Sequence, residues 1–483
     1  MDKDLRSIQQ VRDLLAQARQ AQKTLAAMSQ EQLDRITQAV AQAGAAQARR
    51  LAEMAVEETG FGVAEHKEIK NRFACETVYE AIRNLKTIGI LAEDKARRTI
   101  DMGAPVGIVA ALVPSTNPTS TVFYKTLICL KAGDPVIFSP HPNAVKCITA
   151  AVEIAAKAAQ EAGAPAGAVS CITEPTMEAT DVLMKHPDTR LILATGGAAM
   201  VKAAYSSGTP AIGVGAGNGP AYIHKTADVP TAVKHILDSK TFDNGTICAS
   251  EQSIIVEKAM EQTVTAELRR QGAYLLNDAE REKLSRFILR PNGTMNPAIV
   301  GKSVETVAKL AGLEHVPANA LVLIAREDGV GRGHPFSSEK LGPILAFYTE
   351  EDEAAVFRRS AEILEWEGAG HTFSVHAEDA ELVTRLARAV SASRILVNTP
   401  SALGGVGATS GLFPALTLGC GAAGGSSSSN NIGPLDLIDV KRIAWGVREL
   451  EDLKGGDRSW TANPCCSSEL LATLVQEICR RLQ

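Results

Sequence analysis

Nine cysteines occur in the 483 residues, and one of them sits where covalent chemistry is possible. Cys248 lies in Phe242-Asp-Asn-Gly-Thr-Ile-Cys248-Ala-Ser-Glu251, after the turn pair Asn244-Gly245 and ahead of an apolar β-type run. A thiol at an accessible loop–strand junction can attack a carbonyl carbon once its thiolate is stabilised. No histidine lies within ten residues, so activation must come through space. For a cysteine taken by itself, an inert packed thiol is the commoner outcome. A second candidate is Asn117, in Pro114-Ser-Thr116-Asn117-Pro118. Its amide can donate to a developing oxyanion, although Asn-Pro is equally a turn signal.

Two glycine-rich stretches offer binding rather than reactivity. Thr195-Gly196-Gly197 joins an apolar run to a helical one. A glycine turn at a helix N-terminus presents free N–H groups to a phosphate, but this is not the G-x-G-x-x-G dinucleotide fingerprint. Gly213-Val-Gly215-Ala-Gly217-Asn-Gly219 permits close approach of a ligand or of another backbone. There is no C-x-x-C spacing, so a zinc ribbon is not expected and no metal is assigned.

The elements that must carry these residues follow from periodicity. Residues 2–58 read as helices, with Leu5, Ile8, Val11, Leu14 and Leu15 at helical spacing. Ile88–Leu91 and Thr99–Met102 predict a hairpin or two edge strands. From Pro105, strands at 106–113, 135–138, 169–173 and 191–194 alternate with helices at 144–162, 177–185 and 198–206. A second alternation follows, with strands at 253–256, 320–325, 344–348 and 394–397. Such alternation means βαβ units and parallel sheets, which bind ligands at the carboxyl ends of their strands. The Gly/Ser-rich stretch 403–433 reads as ordered, because Leu412–Leu418 threads apolar residues through it.

Composition narrows the function classes. Lys plus Arg is 50 and Asp plus Glu is 55, a net charge of −5 with 4% aromatics. Neither a basic nucleic-acid face nor a base-stacking platform is expected. No apolar run reaches about 18 residues, so no membrane span is expected. The opening MDKDLRSIQQ has no hydrophobic core of a signal peptide, and reduced thiols in a cytosol-like compartment fit the cysteine usage.

Each signal is weak alone, but their order is specific. PSTNPTST, FSPHPNA, ATGG, MVKAAYSSGTPAIGVGAGN, SKTFDNGTICASEQS, EKLGP, GHT and TLGCGAAGGSSSSNNIGP resemble the CoA-acylating aldehyde dehydrogenases. The likeness covers about residues 4–450. It implies an aldehyde dehydrogenase-like α/β fold: a Rossmann-type cofactor domain, an α/β catalytic domain and a small β flap for oligomerisation. It implies NAD as cofactor and coenzyme A as co-substrate. Cys248 falls at the nucleophile's place, with Asn117 and the Cys248 backbone N–H as oxyanion donors. Thr195, Gly196 and Gly197 fall at the pyrophosphate turn. Ser139, Pro140 and His141 fall at the adenosine ribose, and Glu339 at the nicotinamide ribose. Thr116, Gly215 and Leu341 are assigned to the same cofactor site. Gly213 stands where hydrolytic members carry a water-activating Glu, and its missing side chain is expected to leave room for a thiol. His371, in GAGHT, reads as a structural histidine and is left outside the catalytic set.

The expected division is 1–235 for cofactor binding (flap 86–103), 236–414 for catalysis and 415–450 as a return segment with an oligomerisation strand. Residues 451–467 read as a linker. In 468–483, Leu470, Leu471, Leu474, Val475, Ile478 and Leu482 form one apolar helical stripe. This tail resembles the encapsulation peptides of bacterial microcompartment cargo, with shell proteins as partners. The expected reaction is oxidation of acetaldehyde or propionaldehyde to its acyl-CoA by a homodimer or homotetramer. A hydrolytic dehydrogenase and a catalytically silent scaffold are the alternatives.

Overall fold

The computed structural model describes residues 2–290, 294–450 and 453. Four helices, Lys3–Leu25, Gln30–Ala46, Ala48–Thr59 and Ala64–Arg72, open the chain. Ser29 starts the second with a capping box: its hydroxyl accepts from the Gln32 N–H, and the Gln32 side chain accepts from the Ser29 N–H. The predicted hairpin forms as β1 (Gly89–Asp94) and β2 (Thr99–Pro105), paired antiparallel.

A five-stranded parallel sheet follows. Its strands are β3 (Ile108–Val113), β4 (Val136–Pro140), β5 (Val169–Cys171), β6 (Thr189–Thr195) and β7 (Ala211–Val214), in the order β5-β4-β3-β6-β7. Alternate residues of β3 feed two cores, as the strand period requires. Val109, Ala111 and Val113 pack with Leu33, Ile36 and Val40, while Ile108, Ala110 and Leu112 pack with Val11, Leu15 and Ala18. Helices thus cover both faces, which is why β3 reads as a continuous apolar run.

The chain then enters a seven-stranded, all-parallel sheet. It comprises β8 (Pro220–Ile223), β9 (Ser253–Glu257), β10 (Ala273–Leu275), β11 (Val322–Arg326), β12 (Ile344–Glu350), β13 (Gly370–His376) and β14 (Ala392–Val397), ordered β10-β11-β12-β9-β8-β13-β14. The change of sheet falls between Val214 and Pro220, ahead of the division at 236 read from sequence. Strands β8 and β13 were not legible as strands. β13 is GHTFSVH, and its His371, Thr372, Ser374 and His376 are all buried, so polar letters hide a core strand. β15 (Ile438–Ala444) returns to pair with β2 and completes a three-stranded antiparallel sheet. The Gly/Ser-rich stretch is ordered: Ala415 and Leu418 are buried, and Leu418 bridges to Asn431. The tail helix expected at 468–483 lies outside the described residues.

Candidate active site

Six cysteines are described, all free, and Cys248 alone among them is not fully buried. Its neighbours Thr246, Ile247 and Ala249 are buried, so the loop between helix Val229–Thr241 and β9 holds the thiol at a fixed place. The backbone is pinned by Gly217. A Cβ on that glycine would lie 2.0 Å from the Cys248 carbonyl oxygen, closer than any real side chain permits. Burial pushes the Cys248 thiol up to about 12, and the Glu339 carboxylate adds to this. Arg394 and the Cys248 backbone N–H pull the other way. The resting group is therefore a thiol, and its proton must leave as the carbonyl is attacked.

Asn117 caps helix Pro118–Ala132 at the carboxyl end of β3. Its Nδ2 donates to the Thr246 carbonyl at 3.3 Å, which ties the amide to the Cys248 loop across 129 positions of sequence. Its Oδ1 accepts from Lys70 Nζ at 2.5 Å. Lys70 also donates to Asp243 Oδ2 (2.5 Å) and Thr246 Oγ1 (3.1 Å). Lys67 donates to the same carboxylate oxygen and to the Thr116 carbonyl. Burial would raise the Asp243 carboxyl, but Lys70 and Lys67 outweigh it and hold the group below its ordinary value. Burial lowers Lys70 to about 8 against the pull of Asp243. Asp243 and Asn244 stand in the left-handed region, at φ 50 and φ 53, so strained backbone aims this carboxylate at the lysines. Lys67, Lys70 and Asp243 were missed from sequence. The available signal was the i, i+3 spacing that puts both lysines on one helix face.

Glu339 lies on the loop before β12, and its Oε1 accepts from the Gly217 N–H at 2.9 Å. Burial and the nearby Glu367 push its carboxyl up to about 8. His371, read from sequence as structural, is fully buried beside the same glycine. Its Cε1 lies 3.2 Å from the position of a Gly217 Cβ. Its Nδ1 meets Thr372 Oγ1 at 2.8 Å, while Nε2 has no partner. Burial lowers the ring to about 3, so it is neutral at physiological pH.

The remaining predicted residues line the carboxyl edge of the five-stranded sheet, except Leu341, which lies on the loop before β12 of the seven-stranded sheet. Thr195 ends β6, and Gly197 starts helix Ala198–Ser206 with no side-chain cap. The Thr195 hydroxyl is buried and unpartnered, and a Cβ at Gly197 or Gly215 would meet nothing within 4 Å. Free N–H groups, an orphaned hydroxyl and open glycines fit a dinucleotide pyrophosphate. Ser139 and Pro140 end β4. The Ser139 hydroxyl shares a 2.9 Å hydrogen bond with Thr180, and exposed His141 accepts from the Asn143 N–H. Thr116 Oγ1 accepts from Asn117 Nδ2, and the Leu341 carbonyl accepts from the Gly301 N–H. The room expected at Gly213 is not there. Its Cβ would lie 2.8 Å from Val201 and 2.9 Å from Tyr205, both on the neighbouring helix, so the open position is Gly215. Away from these groups, Glu327, Asp328 and His334 bring ligand atoms within 4.8 Å of one another, with His334 Nδ1 bonded to Glu327. No helix among the described residues is long and apolar enough to cross a membrane.

A half-buried cysteine, an amide tied to its loop and a glycine turn on a parallel sheet define a class. The chain belongs to the aldehyde dehydrogenase family, whose profile matches residues 5–310. It is similar to the bifunctional aldehyde-alcohol dehydrogenase of Escherichia coli K12, 44% identical over 91% of this chain and 50% of the relative. The chain thus spans about half the length of such relatives. Others it covers almost end to end, and these are acylating enzymes. The acetylating succinate-semialdehyde dehydrogenase of Clostridium kluyveri is 36% identical over 91% of this chain and 96% of its own. Among solved structures, a probable aldehyde dehydrogenase of Listeria monocytogenes is 61% identical with a TM-score of 0.93, covering 94% of this chain and 100% of its own. An acetylating aldehyde dehydrogenase of Geobacillus thermoglucosidasius is 49% identical with a TM-score of 0.91, covering 93% and 99%. Propionaldehyde dehydrogenase of Rhodopseudomonas palustris, solved with bound CoA and an acylated cysteine, is 28% identical with a TM-score of 0.81, covering 90% and 97%. Within the family, the chain groups with the CoA-acylating members.

Proposed function

We propose that the chain oxidises a short aldehyde, acetaldehyde or propionaldehyde, to its acyl-CoA with reduction of NAD. The observation that carries this reading is the pairing of a nucleophile with an oxyanion donor, with Glu339 the one carboxyl among the described residues that acts on the thiol. Cys248 and Asn117 meet through Thr246. The carboxyl acting on Cys248 is Glu339, which is held by Gly217 and is mostly protonated at neutral pH. A thioester in such a site outlasts water and yields to a thiolate.

Cys248 loses its proton to solvent as its sulfur bonds to the aldehyde carbon, and the carbonyl oxygen becomes an oxyanion. The Asn117 amide and the Cys248 N–H hold that oxygen. Thr195, Gly196 and Gly197 would hold the pyrophosphate of NAD, which would accept the hydride leaving the former aldehyde carbon as the oxyanion reforms a carbonyl. The resulting thioester on Cys248 is attacked by the coenzyme A sulfur, and Cys248 leaves with the bonding pair. The unpartnered Nε2 of buried His371 can accept a hydrogen bond from the CoA thiol, whose proton passes to solvent. Ser139, Pro140, His141, Thr116, Gly215, Glu339 and Leu341 complete the cofactor site in this reading.

The assembly is proposed as a homodimer or homotetramer. Ile90, Val440 and Ile443 of the small sheet are exposed, as are Trp445 just after it and Val397 on edge strand β14, and these are surfaces another copy can cover. For residues 468–483 the apolar stripe supports docking to microcompartment shell proteins. The deciding experiment is NADH formation from propionaldehyde with and without CoA. CoA-dependent turnover with propionyl-CoA as product is expected, and Cys248→Ala abolishes it. Equal rates with and without CoA, with free acid as product, would favour the hydrolytic alternative. Turnover surviving in Cys248→Ala would remove Cys248 as nucleophile.

A further inference from the structure

We propose that Lys70 is a positioning residue of the oxyanion pocket, holding the Asn117 amide by its carbonyl so that its NH2 group faces the substrate oxygen. An ammonium has three N–H donors and no acceptor. All three of Lys70's are spent, on Asn117 Oδ1, Asp243 Oδ2 and Thr246 Oγ1. The side chain is 4% exposed and cannot swing away. A donor-only group against one end of the amide decides which end is which. Turning the amide over would set NH2 against NH3+, so Nδ2 is committed to the Cys248 side.

Nδ2 itself is held loosely. Its contacts to the Thr246 carbonyl and Thr116 Oγ1 are 3.3 and 3.2 Å, long for N–H donors and readily exchanged for an oxyanion. The charge-assisted bond at Oδ1 polarises the amide and strengthens that N–H as a donor. The surroundings favour negative charge as well. Two ammonium groups, Lys67 and Lys70, share one carboxylate, so the buried cluster carries one uncompensated positive charge. The carboxylate is held against both. Asp243 Oδ1 accepts from the Val63 N–H at 2.7 Å, and its own N–H donates to His66 Nδ1. A Cβ at Gly62 would lie 1.9 Å from Asp243 Oδ1, so the segment entering helix Ala64–Arg72 is closed tightly over it.

The inference rests on Cys248 as nucleophile, and a suitable substrate separates it from the dehydrogenase reading. p-Nitrophenyl acetate passes its acyl group to Cys248 through the same kind of oxyanion. The S–C bond forms, the ester C–O bond breaks, nitrophenolate leaves with its pair and the thiol proton goes to solvent. Neither nicotinamide nor CoA takes part. The test is a double-mutant cycle on the full chain, reading the nitrophenolate burst and, separately, kcat and KM with propionaldehyde, NAD and CoA. Asn117→Ala is expected to slow acylation by about 10²–10³. Lys70→Met is expected to slow it by roughly 10–100-fold with KM for NAD unchanged. The double variant is expected to be no slower than Asn117→Ala alone, because Lys70 acts through that amide. Lys70→Gln, a neutral donor, is expected to fall between Lys70→Met and wild type, and it carries the cycle if Lys70→Met does not fold. Losses that multiply in the double variant, or a Lys70→Met burst within twofold of wild type, would overturn the proposal. Absent CoA-dependent turnover in the wild type, with the ester cycle intact, would sink the dehydrogenase reading and leave this one standing.

Discussion

Gly217→Ala adds a single methyl group where this glycine meets the backbone of Cys248. Its Cβ would fall 2.0 Å from the Cys248 carbonyl oxygen, 2.9 Å from the carbonyl carbon and 3.2 Å from His371 Cε1. Ordinary heavy-atom contacts lie near 3.5–4.0 Å, so the two backbones must part by about 1.5 Å. The contact is with backbone, which cannot rotate aside as a side chain would. Overpacking of this kind costs about 1–3 kcal/mol, and at about 2–4 °C per kcal/mol for a domain of this size the melting temperature falls by roughly 2–12 °C. The displacement reaches the nucleophile directly, and a shift near 1 Å is worth about 10²-fold in rate. The Gly217 N–H is also the donor to Glu339, so the loop before β12 moves with it. Scanning calorimetry and kcat/KM for acyl-CoA formation read the two effects. Gly411→Ala is the matched control, since a Cβ there meets nothing within 4 Å. It should leave both quantities near wild type, or stabilise slightly through the unfolded chain. Wild-type stability and turnover in Gly217→Ala would refute the claim that this glycine sets the position of Cys248.

Three further outcomes are expected. With the Cys248 thiol near 12, its alkylation by iodoacetamide should rise throughout pH 7 to 9 with no plateau, by less than tenfold per unit as Glu339 ionises, followed by mass spectrometry of the labelled peptide. Glu339→Gln should leave alkylation unchanged at pH 6.5, where the native carboxyl is protonated, and speed it several-fold at pH 9.5, where the native group is ionised and opposes the thiolate. Asp243→Asn leaves Lys67 and Lys70 buried without their counter-charge, and should cost about 3–5 kcal/mol in urea unfolding at pH 7. Because the folded state depresses the Asp243 carboxyl, its stabilisation is present above about pH 4 and is lost as pH falls through the lower folded value, so the gap between wild type and variant should narrow there.

The parallel sheets were legible because β3, β6, β9 and β12 are apolar on both faces and are punctuated by helices of regular length. Cys248 and Asn117 were legible because each sits in a local motif at the end of an apolar run. β13 was not, since histidines and hydroxyls occupy positions that are buried on both faces of the sheet. Lys67 and Lys70 look like a solvated helix face in AEHKEIKNR, and only Asp243, 173 positions beyond Lys70, explains their burial. Gly213 shows a different limit. A sequence records that a side chain is missing but not the direction in which it would have pointed, and here that direction is toward Val201 and Tyr205.

The lysine–aspartate cluster also constrains how this chain can be recombined. Lys67 and Lys70 belong to the part of the sequence before the five-stranded sheet, and Asp243 to the part after it. A chimera joined at the natural sheet change, between Val214 and Pro220, takes the two ammonium groups from one parent and their shared carboxylate from the other. Parents that differ at any of the three positions would give a hybrid with intact sheets and an intact Cys248 but buried charge without a partner. Domain exchange with this chain therefore depends on three residues far from the junction, and a library built on it should be filtered on them first.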